Sequence, residues 1–376
     1  MGLVLSMKKK TRVAILFGGK SAEHEVSLQS AKNIIQAIDK DKYDVILIGI
    51  DHDGKWYLND SSHFLLHEEN PKLISLAVSN QNLALLPGDT GRQMLNVTKS
   101  TSTGEIDVVF PVLHGPFGED GTVQGMLKLA GIPFVGAGVL GSAVGMDKDV
   151  MKRLLRDAGI PQAKFLSYSH ADFKKITYNR IENTLGIPCF VKPANLGSSV
   201  GITKVHNQSE FTPALAEAFN YDDKILIEEY IKGREIECSV LGNENPEVSV
   251  PGEIIAQHEF YDYDAKYIDQ QGAIFEIPAR LQPTVVKKIQ QLAVKSFKVL
   301  CCEGMARVDF FLKGDKVYVN ELNTIPGFTR ISMYPKLWQA SGISYGQLID
   351  KLIELAVQRH EREKKLKVSV TNKNQL

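Results

Sequence analysis

Asp309, Glu321 and Asn323 are three oxygen-bearing side chains on two short stretches that a tight turn would bring together. The segment Ala306–Gly327, ARVDFFLKGDKVYVNELNTIPG, reads as two strands. RVDFFL ends at Lys313, turn chemistry follows at Gly314 and Asp315, and KVYVNELN returns. Period-2 alternation puts Val317, Val319, Glu321 and Asn323 on one face of the second strand. An odd-numbered loop, such as Gly314 to Lys316, sets Asp309 opposite Glu321 in one cleft; an even-numbered loop sends them to opposite faces. Two carboxylates about 4 Å apart repel by roughly 4 kcal/mol at an effective dielectric of about 20, so the facing arrangement calls for a cation. Oxygen donors alone suit Mg²⁺ or Mn²⁺ rather than zinc, and magnesium commonly takes further ligands from phosphates, which implies a nucleotide. Arg307 shares the face of Asp309 and is placed to stabilise developing negative charge. The same residues also fit a surface hairpin with solvated charges.

The elements that would position this hairpin begin at the N-terminus. RVAILF, Arg12 to Phe17, is a buried-strand run ending in Gly18-Gly19. Ser21 to Ile38 reads as a loop and a helix, with Leu28, Ala31, Ile34, Ile35 and Ile38 on one stripe. Further strands are expected at Tyr43 to Ile50 and Asp107 to Val112. Strand, glycine turn and helix in this order suggest an α/β fold with a doubly wound parallel sheet. The turn has neither the dinucleotide nor the P-loop pattern. Glu23, just past the glycines, fits a helix-start carboxylate favoured by the dipole. Residues 52–102 are polar and poorly patterned, and loops and short strands are expected there.

HGPFGEDGTVQG, His114 to Gly125, is a glycine-rich loop entering a helix, shaped to place backbone amides against a ligand. A histidine such as His114, taken alone, is more often structural than catalytic. Asp147 caps a helix to about Ala158, with Val150, Met151, Leu154 and Leu155 as its apolar stripe. Lys148 sits in the first turn, where the dipole disfavours a cation by ~0.5 kcal/mol; it is either solvated or reaching for an anion. The strand PCFVK carries Lys192 to its end, and Gly197-Ser198-Ser199-Val200-Gly201 follows. Such a loop either cradles phosphate with its amides or is a plain hairpin turn. ILIEEYIKGRE, Ile225 to Glu235, reads as a strand turning into a linker whose backbone could pair with an adenine edge. YDYDAKYID, around Lys266, reads as a lid loop. Helices are expected from Ile289 to Cys301 and from Ser344 to about Glu361, before a charged tail at 365–376 that thins into disorder.

A chain of 376 residues allows two or three domains. Lys+Arg and Asp+Glu both number 44, so overall charge gives no attraction to nucleic acid or to a membrane surface, and anion binding must come from a local cluster. Cys189, Cys238, Cys301 and Cys302 show no metal-ligand spacing and suit a reducing cytoplasm. No apolar run reaches ~18 residues, so no membrane span is expected. MGLVLSMKKK loosely fits a myristoylation pattern at Gly2 and Ser6, and its charges follow the apolar run, the wrong order for a signal peptide. An extended or alternative start is the preferred reading, with Met7 as the other candidate.

Together the motifs resemble the ATP-grasp enzymes, and closely the D-alanine–D-alanine ligases, over about Arg12 to Gln358. SAEHEVS at Ser21 to Ser27, HGPFGEDGTVQG, and VDFF followed by VNELNTIPGFT carry the resemblance. It implies a three-domain architecture: 1–136 for the first substrate, and 137–232 with 233–364 holding ATP between them. It implies that ATP phosphorylates one D-alanine carboxylate and that a second D-alanine's amine attacks the acyl phosphate, for peptidoglycan precursor synthesis. A D-alanine–D-lactate or other carboxylate–amine ligase of the same fold is the alternative. ATP and Mg²⁺ or Mn²⁺, as two ions, are the implied cofactors, and a homodimer is the implied assembly. By resemblance Glu23 holds the first substrate's ammonium, with Ser198 and Tyr267 linked to it as the lid closes. Lys148, Lys192 and Ser199 match nucleotide-phosphate contacts, and Lys266 the lid lysine near the transferred phosphate. Glu228, the backbone at Glu229, Tyr230 and Ile231, and Glu235 match adenine and ribose contacts. Arg307 and the Gly327 amide match the charge stabilisers of the tetrahedral intermediate, Ser332 a contact to the second substrate's carboxylate, and His114 a site histidine. Asp309, Glu321 and Asn323 match the metal ligands. A tyrosine at the lid position, here Tyr267, goes with peptide rather than ester formation in this family. Arg330 stands where the family varies.

Overall fold

Thr11–Gly18 lies one strand in from the edge of the first sheet, and Val13 to Phe17 are fully buried on both of its faces. It runs parallel to Tyr43–Ile50 on one side and to Val108–Val112 on the other. That two-sided burial is what a continuous apolar run demands of a parallel strand. The computed structural model describes residues 9–89, 91–256 and 273–367. On the far side of Tyr43–Ile50, four strands of two to four residues between 56 and 102 extend the sheet antiparallel, making seven strands in all. The parallel winding expected from the sequence is therefore confined to one end of a mixed sheet. Strands this short leave no period to read. Helix His24–Ala37 buries Leu28, Ala31, Ile34 and Ile35 against this sheet, the expected stripe.

Two antiparallel sheets follow. The first has the strand order Phe165–Ser169, Lys224–Glu229, Cys189–Pro193, Thr203–Val205. Helices Tyr178–Leu185 and Gln208–Tyr221 supply its core with Ile181, Phe211 and Leu215. The second runs Ala273–Glu276, Gly252–Ala256, Arg234–Gly242, Gly304–Lys313, Lys316–Asn323, with Glu247–Val248 paired to Arg234–Gly242. Helix Pro283–Val299 covers it together with helix Lys148–Asp157. On the latter helix only Met151 and Leu155 of the expected apolar stripe are deeply buried, while Leu154 is 36% exposed. Lys148, Asp149 and Lys152 are buried instead. This helix faces a polar site with half of its inner surface.

The last helix, Tyr345–Glu363, is capped by Ser344 and Gln347 in a reciprocal box. Its Leu348, Ile349, Leu352 and Ile353 enter the same core as Val13, Ile15 and Phe17.

The hairpin differs from expectation in its mechanism. Lys313 pairs with Lys316, so the turn is the even-numbered pair Gly314-Asp315. Unbroken, that register would set Asp309 opposite Asn320 and drive Glu321 into the core. A bulge after Phe310–Val319 absorbs Asn320, so Asp309 does pair with Glu321 and Arg307 with Asn323. The bulge also corrects the assignment of faces. Val317, Val319 and Leu322 lie in the core, whereas Glu321 and Asn323 have crossed to the cleft side with Arg307 and Asp309.

Candidate active site

One cleft gathers Glu23, His114, Ser198, Glu235, Arg307, Asp309, Glu321, Asn323, Gly327 and Ser332. Its floor is the cleft face of the second antiparallel sheet. Arg307 grips Asp309 with two parallel bonds, Nε to Oδ1 and Nη2 to Oδ2, both 2.7 Å. Its Nε also lies 2.9 Å from Glu237, which the register places directly across from Asp309. Asn323 Nδ2 donates to Asp309 Oδ2 at 3.0 Å. Lys148 Nζ is 4.0 Å from Glu321 and also donates to the Leu196 carbonyl. It lines the adjoining recess with Glu321 and Asn323. Burial lowers the Lys148 pKa, and Glu321 opposes that shift.

At the opposite wall, Ser198 donates to Glu23 Oε1. Glu23 N-caps its helix without a side-chain cap bond, so the carboxylate is turned to the cleft rather than to its own helix. A Cβ on Gly115 or on Gly197 would come within 2.7 Å or 2.8 Å of Glu23 Oε2, so a side chain at either position would push that carboxylate aside. Ser198 and Ser199 both hold left-handed φ, +51° and +62°, strain of the sort found where a loop is shaped for a ligand.

Lys192, Ser199, Glu228, Glu229, Tyr230 and Ile231 do not line this cleft. They lie on the strand ends and loop of the neighbouring four-stranded sheet. Glu228 is buried between Lys192 and Lys152, the latter at 2.9 Å. Burial pushes the Glu228 pKa up, but the two lysines outweigh it and hold the carboxyl below its ordinary range. Glu229 uses its carboxylate and its N–H on Lys164, at 2.8 and 3.0 Å. Tyr230 packs against Phe190 and beneath Lys204. Ser332 Oγ accepts from Thr329 N–H at 2.9 Å. Lys266 and Tyr267 lie outside the described residues.

Three participants escaped the sequence reading. Glu119 is buried, accepts from Gly115 and Ile325 N–H at 3.0 and 3.2 Å, and has its pKa raised to about 8 by burial and by the charge of Glu23. Glu237 stands two residues past Glu235, so period 2 alone would have placed it on the same face. Lys152 is four residues past Lys148, hence on the same side of the helix. It is fully buried and donates to the carbonyl of the bulge residue Asn320 at 3.2 Å. His114 is buried, and its pKa falls to about 4 through burial, with Arg307 nearby adding to the shift.

Two antiparallel sheets flanking a charged cleft, joined to a mixed α/β sheet that contributes one wall, define an ATP-grasp enzyme. Two family models match, described as the D-Ala–D-Ala ligase N-terminus over 12–137 and the D-Ala–D-Ala ligase C-terminus over 154–354. A D-alanine–D-alanine ligase of Oceanobacillus iheyensis is 57% identical over 364 residues, 96% of this chain and 99% of that protein. The D-alanine–D-alanine ligase A of Escherichia coli K12 is 52% identical over 363 residues, 96% of this chain and 100% of that protein. Among solved structures, the D-alanine–D-alanine ligase from Coxiella burnetii aligns with a TM-score of 0.82 at 43% identity, covering 95% of this chain and 97% of that one. The VanG D-Ala:D-Ser ligase from Enterococcus faecalis aligns at 0.81 and 38%, covering 93% and 100%. The chain belongs to the D-alanine–D-alanine ligase family.

Proposed function

We propose that this ligase joins two D-alanines, with ATP converted to ADP and phosphate, through an acyl phosphate. The observation that carries the reading is one cleft with Glu23 and Ser198 on one wall and Arg307, Asp309 and Glu321 on the other. The Glu23 wall suits the first substrate's ammonium. A carboxylate is a poor acceptor until phosphate gives it a leaving group. Its oxygen attacks the γ-phosphorus, ADP leaves, and the second amine then attacks the carbonyl carbon. Collapse of that adduct expels phosphate, which carries the original carboxylate oxygen, and the amine proton passes to solvent or to a base. Arg307 and the Gly327 amide stabilise the charge that develops in the adduct.

Lys148 and Lys192 are placed for nucleotide phosphates, and Glu228 through Ile231 with Glu235 for adenine and ribose. The metal assignment is supported by donor chemistry: two carboxylates and one amide oxygen, no nitrogen or sulfur. Among the described residues no three His, Cys, Asp or Glu side chains gather as ligands. Asp309, Glu321 and Asn323 thus form a partial shell, suited to an ion that keeps its waters and takes phosphate oxygens. When bound, Mg²⁺ or Mn²⁺ neutralises phosphate charge during transfer. We assign 1–136, 137–232 and 233–364 as the three units, a cytoplasmic site of action supported by four free cysteines, and a homodimer on family resemblance. No helix among the described residues is long and apolar enough to cross a membrane.

The test is ADP release with ATP, Mg²⁺ and D-alanine, D-serine or D-lactate as second substrate, with products identified by mass. D-Alanyl-D-alanine as the dominant product supports the reading. D-Alanyl-D-serine or D-alanyl-D-lactate as the dominant product at equal substrate concentrations reassigns the acceptor.

A further inference from the structure

The loop that carries Gly327 into the cleft is held from outside its own sheet. The Ile325 carbonyl accepts from His114 Nδ1 at 3.0 Å. Phe328 N–H donates to Ser30 Oγ at 3.1 Å, and the Phe328 carbonyl accepts from Asn33 Nδ2 at 3.0 Å and Tyr345 OH at 2.8 Å. Ser30 Oγ also lies 3.4 Å from His114 Nε2. Because His114 Nδ1 faces a carbonyl, that nitrogen carries the proton and Nε2 accepts. The Ser30 hydroxyl therefore donates to His114 while its oxygen accepts from Phe328. One set of proton positions satisfies the whole relay.

Ser30 is fully buried, a place a hydroxyl occupies without cost only when it is bonded on both sides. Ser30 and Asn33 ride on the helix that begins next to Glu23. That helix thus holds the acid of one wall at its start and the Gly327 loop two to three turns later. Nothing in the chemistry requires Ser30 or Asn33 to touch substrate.

We propose that Ser30 and Asn33 are positioning residues, which through Phe328 fix the Gly327 amide relative to the substrate held at Glu23. The inference rests on the ligase reading above. Phosphoryl transfer to the carboxylate relies on the nucleotide side of the cleft, whereas the tetrahedral adduct relies on the Gly327 amide. Releasing the bracket should therefore damage the second half-reaction selectively.

The experiment uses the full chain with Ser30→Ala, Asn33→Ala and both together. Bridge-to-nonbridge ¹⁸O scrambling in ATP with D-alanine reports acyl-phosphate formation, and dipeptide release reports the complete reaction. Each single variant should lower kcat for dipeptide roughly 10-fold, less than outright loss of an oxyanion donor. The double variant should lower it about 100-fold, with scrambling and the ATP KM within about twofold of the parent. Ser30→Thr, which keeps the hydroxyl, should recover most of the rate. Asn33 is only partly buried, so its variant reports even where Ser30→Ala unfolds. Dipeptide kcat within about twofold of the parent in folded variants, or scrambling that falls in step with kcat, overturns the proposal. A parent enzyme that makes no dipeptide overturns the ligase reading instead.

Discussion

Glu119 and Glu23 share the wall that would meet a substrate ammonium, and burial, followed by the charge of Glu23, raises the pKa of Glu119 to about 8. A group that binds its proton more tightly folded than unfolded contributes stability that is fully present below about 4.5 and is lost as pH rises through about 8. Above about pH 6.5, beyond the window in which His114 offsets it, the ligand-free enzyme should melt progressively lower up to about pH 8, and Glu119→Gln should flatten that slope in calorimetric scans. His114 acts with the opposite sign: its depressed pKa removes stability as pH falls from 6.5 toward about 4. A cation arriving beside Glu23 should lower the Glu119 pKa. D-Alanine binding near pH 7 should then release a fraction of a proton, read as a buffer-dependent enthalpy in calorimetry; proton uptake would contradict this. Glu321→Gln should cut turnover by at least about 10³ with cooperative unfolding intact, checked by steady-state rates across a Mg²⁺ titration. The grouping of Arg307, Asp309, Glu321 and Asn323 on one cleft was readable from the sequence because types and spacing are local. Glu237 and Lys152 were equally local yet went unread, since a carboxylate or lysine repeated at strand or helix spacing also describes a solvated face. Glu119 was not readable as a titrating group, because its environment is made by Ile325 from the distant half of the chain.

At the scale of elements, the helix Lys148–Asp157 shows how a cap can serve a site. Asp147 accepts from Asp149 and Val150 N–H at 3.1 and 3.0 Å, and its other oxygen takes Lys224 Nζ at 2.6 Å. The cap thus offsets the local penalty of placing cationic Lys148 in the first turn. Asp147→Ala should cost about 1 kcal/mol by urea unfolding and raise the ATP KM several-fold by loosening Lys148. An unchanged KM would separate the cap from the site. The hairpin was readable as a hairpin, and the pairing of Asp309 with Glu321 was anticipated. Its cause was not: the facing was made conditional on an odd-numbered loop, and a two-residue turn with a bulge at Asn320 achieves the same facing. Alternation cannot reveal a bulge, because the extra residue registers only through what it pairs with. Here the Asn320 carbonyl is turned to buried Lys152, on a helix about 170 residues earlier in the chain.

At the scale of the molecule, the first and last segments form one core. Arg359, buried on the last helix, donates to the carbonyls of Phe134 and Gly136 and stacks over the Phe134 ring at 4.4 Å. Arg359→Met should leave both carbonyls unsatisfied and cost about 2–4 kcal/mol, read by denaturant unfolding. A loss below about 1 kcal/mol would show that the last helix docks by its apolar face alone. The parallel strands and their helix were readable because buried apolar runs are long. The docking of the final helix on the first sheet was not, since amphipathic periodicity marks a buried stripe without naming its partner. All of these scales bear on the event proposed for the cleft between Glu23 and Asp309, phosphorylation of a carboxylate. The most direct test uses D-alanine labelled with ¹⁸O in its carboxylate, ATP and Mg²⁺, with mass analysis of the released phosphate. One ¹⁸O atom in phosphate for each dipeptide formed is the predicted result. Unlabelled phosphate, with both labelled oxygens retained in the amino acid, would contradict the account.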